Sequence, residues 1–122
     1  MITEDYVSFE IAKLLKEKGF DASEIDAYFP FVYYSDGKMD FYDDDNPLFV
    51  CEAVTLQMAC KWLREVHNIF IEISVDEMLK DEGYQWALYY NSTKEIRPYS
   101  GWGDSYEEAC ESAIKYCLDN LI

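Results

Sequence analysis

Basic side chains are scarce in this sequence: ten lysines and arginines stand against twenty-five aspartates and glutamates, and the formal net charge is −15. A field of that sign repels nucleic-acid phosphate and anionic lipid, so DNA or RNA binding and membrane-surface binding are excluded first. Histidine is represented by His67 alone, and the four cysteines, Cys51, Cys60, Cys110 and Cys117, include no Cys-x-x-Cys pair. No spaced ligand set for zinc remains, and buried, reduced thiols are the expectation. Apolar runs stay well below the ~20 residues of a membrane helix. The opening residues carry Glu4 and Asp5 where a leader would carry bases, so a cytoplasmic protein is expected. No phosphate-cradling glycine loop, nucleophile–base pair or cofactor fingerprint is found, and the expectation is of no enzyme, no cofactor and no metal.

What is present is core material. Half of the 122 residues are hydrophobic, with eleven Tyr, seven Phe and three Trp. That content argues against disorder despite the charge, and the length suits one domain spanning residues 1–122.

Val7, Ile11, Leu14 and Leu15 recur at helical spacing, with Thr3 as a plausible N-cap and Gly19 as the left-handed residue that ends the helix. From Asp21 to Glu52 nine acids face Lys38 alone, so over half of the net charge sits in about a quarter of the chain. Inside that stretch the aromatic runs 29–34 and 39–42 flank Ser35-Asp36-Gly37-Lys38, which predicts a hairpin with a type I′ turn. An acidic loop, Asp43-Asp44-Asp45-Asn46-Pro47, follows.

A second helix is expected over 55–67, capped by Thr55, striped by Leu56, Ala59, Cys60, Leu63 and Val66, and stopped by a left-handed Asn68. His67 then sits at the negative end of the helix dipole, in a capping role. Residues 69–75 and 84–90 alternate as strands, 91–94 reads as a turn, and 95–99 as a shorter return strand closed by Pro98. Gly101-Trp102-Gly103-Asp104 reads as a loop into a last helix over 105–121. Ser105 and Glu108 of that helix stand at capping-box spacing, and small residues line one of its faces. The fold class is α+β, approximately α-β-β-α-β-β-β-α, with helices packed on an antiparallel sheet. The N-terminal helix, hairpin and acidic loop occupy 1–54, and an α-β-β-β-α unit occupies 55–122.

That unit, with Gly101-Trp102-Gly103 ahead of Ser105-Tyr106-Glu107-Glu108-Ala109, resembles in topology a double-stranded-RNA-binding domain. The positions where that family carries phosphate-clamping lysines hold Tyr106, Glu107 and Glu108, so the resemblance implies a fold without the activity. Over its whole length the chain is similar to a family of small acidic proteins from Bacteroides-group gut bacteria and their phages. The similarity rests on Glu4-Asp5-Tyr6-Val7-Ser8-Phe9-Glu10, on Thr55-Leu56-Gln57-Met58-Ala59 through Trp62-Leu63-Arg64-Glu65-Val66-His67-Asn68, and on Ser105-Tyr106-Glu107-Glu108-Ala109 through Lys115-Tyr116-Cys117-Leu118. It implies no chemistry and leans toward mobile-element biology.

Asp36, Asp40, Asp43 and Asp45 could in principle hold a hard cation, but the glycine and twelfth-position glutamate of an EF-hand are missing. Tyr33, Tyr34, Tyr42, Tyr89, Tyr90 and Trp102 exceed what one small core absorbs. Rings exposed beside acids are the material of a protein-binding patch. The expected function is therefore binding of a basic protein partner, with Tyr33, Tyr34 and Tyr42 giving contact area and Asp43, Asp44 and Asp45 giving steering. A DNA-mimicking inhibitor of a nucleic-acid-binding protein is the alternative, and a small enzyme of unknown reaction the third.

Overall fold

The first helix, α1 (Phe9–Glu17), starts later than the spacing predicts, because Ser8 caps it by accepting from the Ile11 N–H through its hydroxyl. Val7, read as the first helical residue, is extended instead: its N–H donates to the Val54 carbonyl, and Leu56 N–H donates to the Asp5 carbonyl. The end of α1 is as expected. Gly19 has φ +91°, the Gly19 N–H reaches the Lys16 carbonyl and the Phe20 N–H reaches the Leu15 carbonyl, the paired bonds of a Schellman cap. Phe20 then folds back onto Trp62, ring centroids 5.4 Å apart.

The computed structural model describes residues 4–25, 28–75, 83–90 and 94–122, with the backbone alone for 94–100. The expected cap at Thr3 and residues 91–93 of the turn expected at 91–94 lie outside those residues, and Lys94 belongs to a strand instead. A 3₁₀ turn (Ala22–Ile25) leads to β1 (Phe31–Tyr34), β2 (Met39–Phe41) and β3 (Phe49–Glu52), then α2 (Leu56–His67), β4 (Ile69–Ser74), β5 (Tyr84–Tyr90), β6 (Lys94–Gly103) and α3 (Tyr106–Asn120). The fold is α+β, with two antiparallel three-stranded sheets ordered β2-β1-β3 and β4-β5-β6.

Three local readings are corrected. The hairpin loop has three residues: Tyr34 N–H donates to the Lys38 carbonyl, Gly37 N–H donates to the Tyr34 carbonyl, and Gly37 alone takes positive φ, +81°. Asp36 needs no left-handed backbone in this bulged turn, and its carboxylate accepts from Lys38 N–H instead. Second, β3 was not expected. It pairs with β1 through Tyr33 opposite Cys51, which makes β1 the central strand of its sheet. Third, β6 runs on through Gly101-Trp102-Gly103, read above as a loop. Its register against β5 shifts between the Ala87 and Tyr89 rungs with Pro98 inside the shift, a place on an edge strand where a missing N–H is tolerated.

One hydrophobic cluster joins both halves, including Val7, Ile11 and Leu15 from the N-terminal side and Trp62, Leu88, Ile114 and Leu118 from the rest. The face of α2 is rotated from the expected stripe, with Trp62 buried and Val66 exposed. α3 packs on all three strands of the second sheet through Ala109, Ala113, Ile114 and Cys117. Glycine makes that approach possible, because a Cβ on Gly103 would collide with the Ala109 backbone; within the sheet, one on Gly101 would stand 2.6 Å from the Trp86 indole. Among the described residues, no helix is long and apolar enough to cross a membrane.

Candidate functional site: the acidic aromatic face of the hairpin

Tyr33 and Tyr34, expected to offer contact area, are instead 92% covered, each with a relative exposure of 8%. Tyr33 joins the hydrophobic core, while Tyr34 lies outside that cluster and is covered where its hydroxyl meets β2 and the acidic loop. The Tyr33 hydroxyl donates to the Val7 carbonyl at 2.6 Å, and burial, with Cys51 and Glu111 nearby, pushes its pKa up. The Tyr34 hydroxyl donates to the Phe41 carbonyl at 2.7 Å and accepts from the Asp43 N–H at 3.0 Å. Tyr34 is thus a largely covered clamp that fastens the acidic loop to β2.

The face that remains open is built by β2 and that loop. β2 has no buried residue: Met39, Asp40 and Phe41 are all exposed, and Phe41 is 64% exposed. Tyr42 (54% exposed) meets Phe49 edge-on at 5.5 Å, and Leu48 (56% exposed) completes the apolar surface. The Lys16 ammonium lies 5.2 Å from the Phe49 ring centroid. Met39, Phe41, Tyr42 and Leu48 line a hollow of about 500 Å³, whose rim carries Asp36, Asp40 and Asp43 against Lys38.

The loop holds its own shape. Asp43 Oδ1 accepts from Asp45 N–H at 3.0 Å, Asn46 N–H donates to the Asp43 carbonyl at 3.1 Å, and Asn46 Oδ1 accepts from Leu48 N–H at 2.9 Å. The Tyr42 hydroxyl is raised in pKa by its hydrogen bond to Asp44 and by the charge of Asp44 beside it. Tyr42, Asp43, Asp44 and Asp45 are therefore brought to one surface, while Tyr33 and Tyr34 are not. The edge is also dressed. Ladder alternation turns the backbone N–H and carbonyl of Phe41 away from β1, although its ring packs on Phe31, and the N–H donates to Asp40 Oδ1 at 2.7 Å while the carbonyl is taken by Tyr34.

Met39, Phe41, Leu48 and Phe49 were missed as surface residues. Their signal was available only in part, as apolar residues alternating with or flanked by aspartates. Of the other surplus rings, Trp102 and Tyr90 are exposed and Tyr89 is half-buried. His67 ends α2 as expected, but its ring packs edge-on to Trp62 at 4.6 Å, with Nε2 buried and without a hydrogen-bond partner. Among the described residues, no three His, Cys, Asp or Glu side chains gather where they could hold a metal ion. Compared with known proteins, the chain matches no family model, no curated protein and no solved structure.

Proposed function

We propose that this protein is a non-enzymatic binding domain that receives a basic protein segment on the β2 face. The observation that carries the reading is the exposure of Phe41, Tyr42 and Leu48, each more than half open to solvent, in a hollow rimmed by three aspartates. Apolar side chains at the centre of a patch supply affinity, and the surrounding acids steer and select a cationic partner. A DNA mimic fits less well, because acids of the last helix are committed elsewhere. Glu108 accepts from Asp104 N–H at 3.1 Å, and Glu111 accepts from Ser8 N–H at 3.1 Å.

The test is capture of basic proteins at low and high salt, followed by binding of the recovered partner to two variants. Phe41→Ser with Tyr42→Ser should weaken binding by about tenfold or more, the scale of one or two central contacts. Asp43→Asn with Asp44→Asn and Asp45→Asn should slow association and flatten its salt dependence. Unchanged binding by both variants would leave the acidic face a matter of solubility and overturn the proposal.

A further inference from the structure

Cys60 on α2 and Cys110 on α3 are fifty residues apart in sequence and bring their Sγ atoms to 3.4 Å. A disulfide measures about 2.05 Å, so the two sulfurs need to approach by only about 1.4 Å more. The helices that carry them are in contact, and the alanine beside each cysteine, Ala59 and Ala109, is fully buried. Both cysteines line a cleft of about 550 Å³ that shares no residue with the hairpin hollow. Cys60 is the partly exposed member of the pair and Cys110 the buried one.

The four thiols differ in the way this geometry requires. The hydrogen bond shared with Cys110, helped by the Arg64 guanidinium, draws Cys60, the partly exposed sulfur, below the ordinary thiol value against the effect of burial. Cys110 is pushed up by the same shared hydrogen bond and by burial. Cys117 is pushed up to about 12 by burial, and Cys51 is raised by burial too. One nucleophile, one resolving thiol and two inert core thiols result.

We propose that Cys60 and Cys110 form a thiol–disulfide exchange site that accepts small cationic disulfides. The Cys60 thiolate attacks one sulfur of the disulfide R–S–S–R, forming a Cys60–S–S–R bond and expelling RS⁻, which takes a proton from solvent. The Cys110 thiol then attacks Cys60 Sγ. The Cys60–Cys110 bond forms, the second RS⁻ leaves, and it takes up the proton that Cys110 releases. The protein dithiol loses two electrons and two protons, and the small disulfide becomes two thiols. Charge sets the preference among disulfides: Glu4, Asp5 and Glu107 line the cleft against Arg64 alone. An anionic disulfide meets that field, and the field of the whole acidic chain, as repulsion.

Folded full-length protein is incubated separately with cystamine, which is dicationic, and with anionic glutathione disulfide, and the products are read by intact mass and peptide mapping. The expected product with cystamine is two hydrogen atoms lighter, with Cys60 joined to Cys110 and with Cys51 and Cys117 still alkylatable. Cystamine should react faster than glutathione disulfide by a factor of about ten or more. Cys110→Ser should stop at a stable cysteamine adduct on Cys60, and Cys60→Ser should leave Cys110 unreacted. If either serine variant melts without cooperativity, the alanine variant replaces it, since alanine already occupies neighbouring positions of both helices. The proposal is overturned by a wild-type product that stops at the mixed disulfide, by a Cys60→Ser variant that reacts as fast as wild type, by no reaction in the folded protein, or by glutathione disulfide reacting as fast as cystamine.

Discussion

The two sheets have the same number of strands and the same antiparallel pairing, and they are finished in opposite ways. The second sheet is roofed by α3, whose small residues bring the helix down onto β4, β5 and β6. The first sheet buries its centre, β1, and leaves β2 bare, with a phenylalanine and a methionine facing solvent. Apolar surface is removed from water at about 25 cal/mol per Å², so the roofed sheet is where stability accumulates, and the bare strand contributes little of it. An exposed apolar edge that does not serve the fold needs another explanation, and binding is the one its aspartate rim supports.

The sharpest break of this comparison is at the roof. Gly103→Ala places a methyl group against the Ala109 backbone, which cannot rotate away as a side chain would. A loss near 3 kcal/mol is expected in chemical denaturation, at the upper end of overpacking costs. Stability within ~1 kcal/mol of wild type would mean that α3 leaves room for a methyl group on β6.

A milder change is expected in the other sheet. Tyr34→Phe keeps the ring and removes the hydroxyl that links the Phe41 carbonyl to the Asp43 N–H, two bonds worth roughly 1–2 kcal/mol together. Amide exchange should accelerate at Asp43, because its donor loses its partner. Unaltered exchange there would show that the loop holds without the clamp.

The smallest effect belongs to Glu52, the last residue of β3. Burial, followed by repulsion from Asp21, raises its pKa against the opposing pull of Lys16, and its Oε2 is buried without a partner. A carboxyl raised in the folded state binds its proton more tightly there than in the unfolded chain. The ionised form therefore costs stability at neutral pH, and the cost disappears as the pH falls through the raised folded value toward the ordinary one, near 4.3. Glu52→Gln should melt slightly higher than wild type at pH 7, by less than ~1 kcal/mol because solvent screens a half-buried group. The two proteins should converge by about pH 4. A variant that is less stable at pH 7 would show that the pairing with Lys16 outweighs burial.

Features that depend on a few neighbouring residues were readable from the sequence. Gly19 with Phe20, Thr55, Asn68 and Ser105 all end or begin helices where their chemistry places them. The features that were not readable depend on distant partners. The role of β1 as a central strand needed β3, whose run Leu48-Phe49-Val50-Cys51 has no alternation to announce it. Tyr33 was hidden by its bond to Val7, twenty-six residues away. The candidate surface was legible in its acids and in Tyr42, and not in Phe41 or Phe49, because exposure is a property of the assembled sheet. The closeness of Cys60 and Cys110 comes from a helix crossing that no spacing of cysteines encodes.

The capped edge of β2 limits what can grow on it. A naked strand edge is a template on which another chain can extend the sheet, with backbone hydrogen bonds that ignore sequence. At Phe41 both outward backbone groups are already taken, the N–H by Asp40 and the carbonyl by Tyr34. Asp40 also places a negative charge in the path of any incoming strand. Fibre-like stacking and strand addition are thus obstructed at the place where an exposed phenylalanine would otherwise invite them, and whatever docks there must recognise side chains one by one.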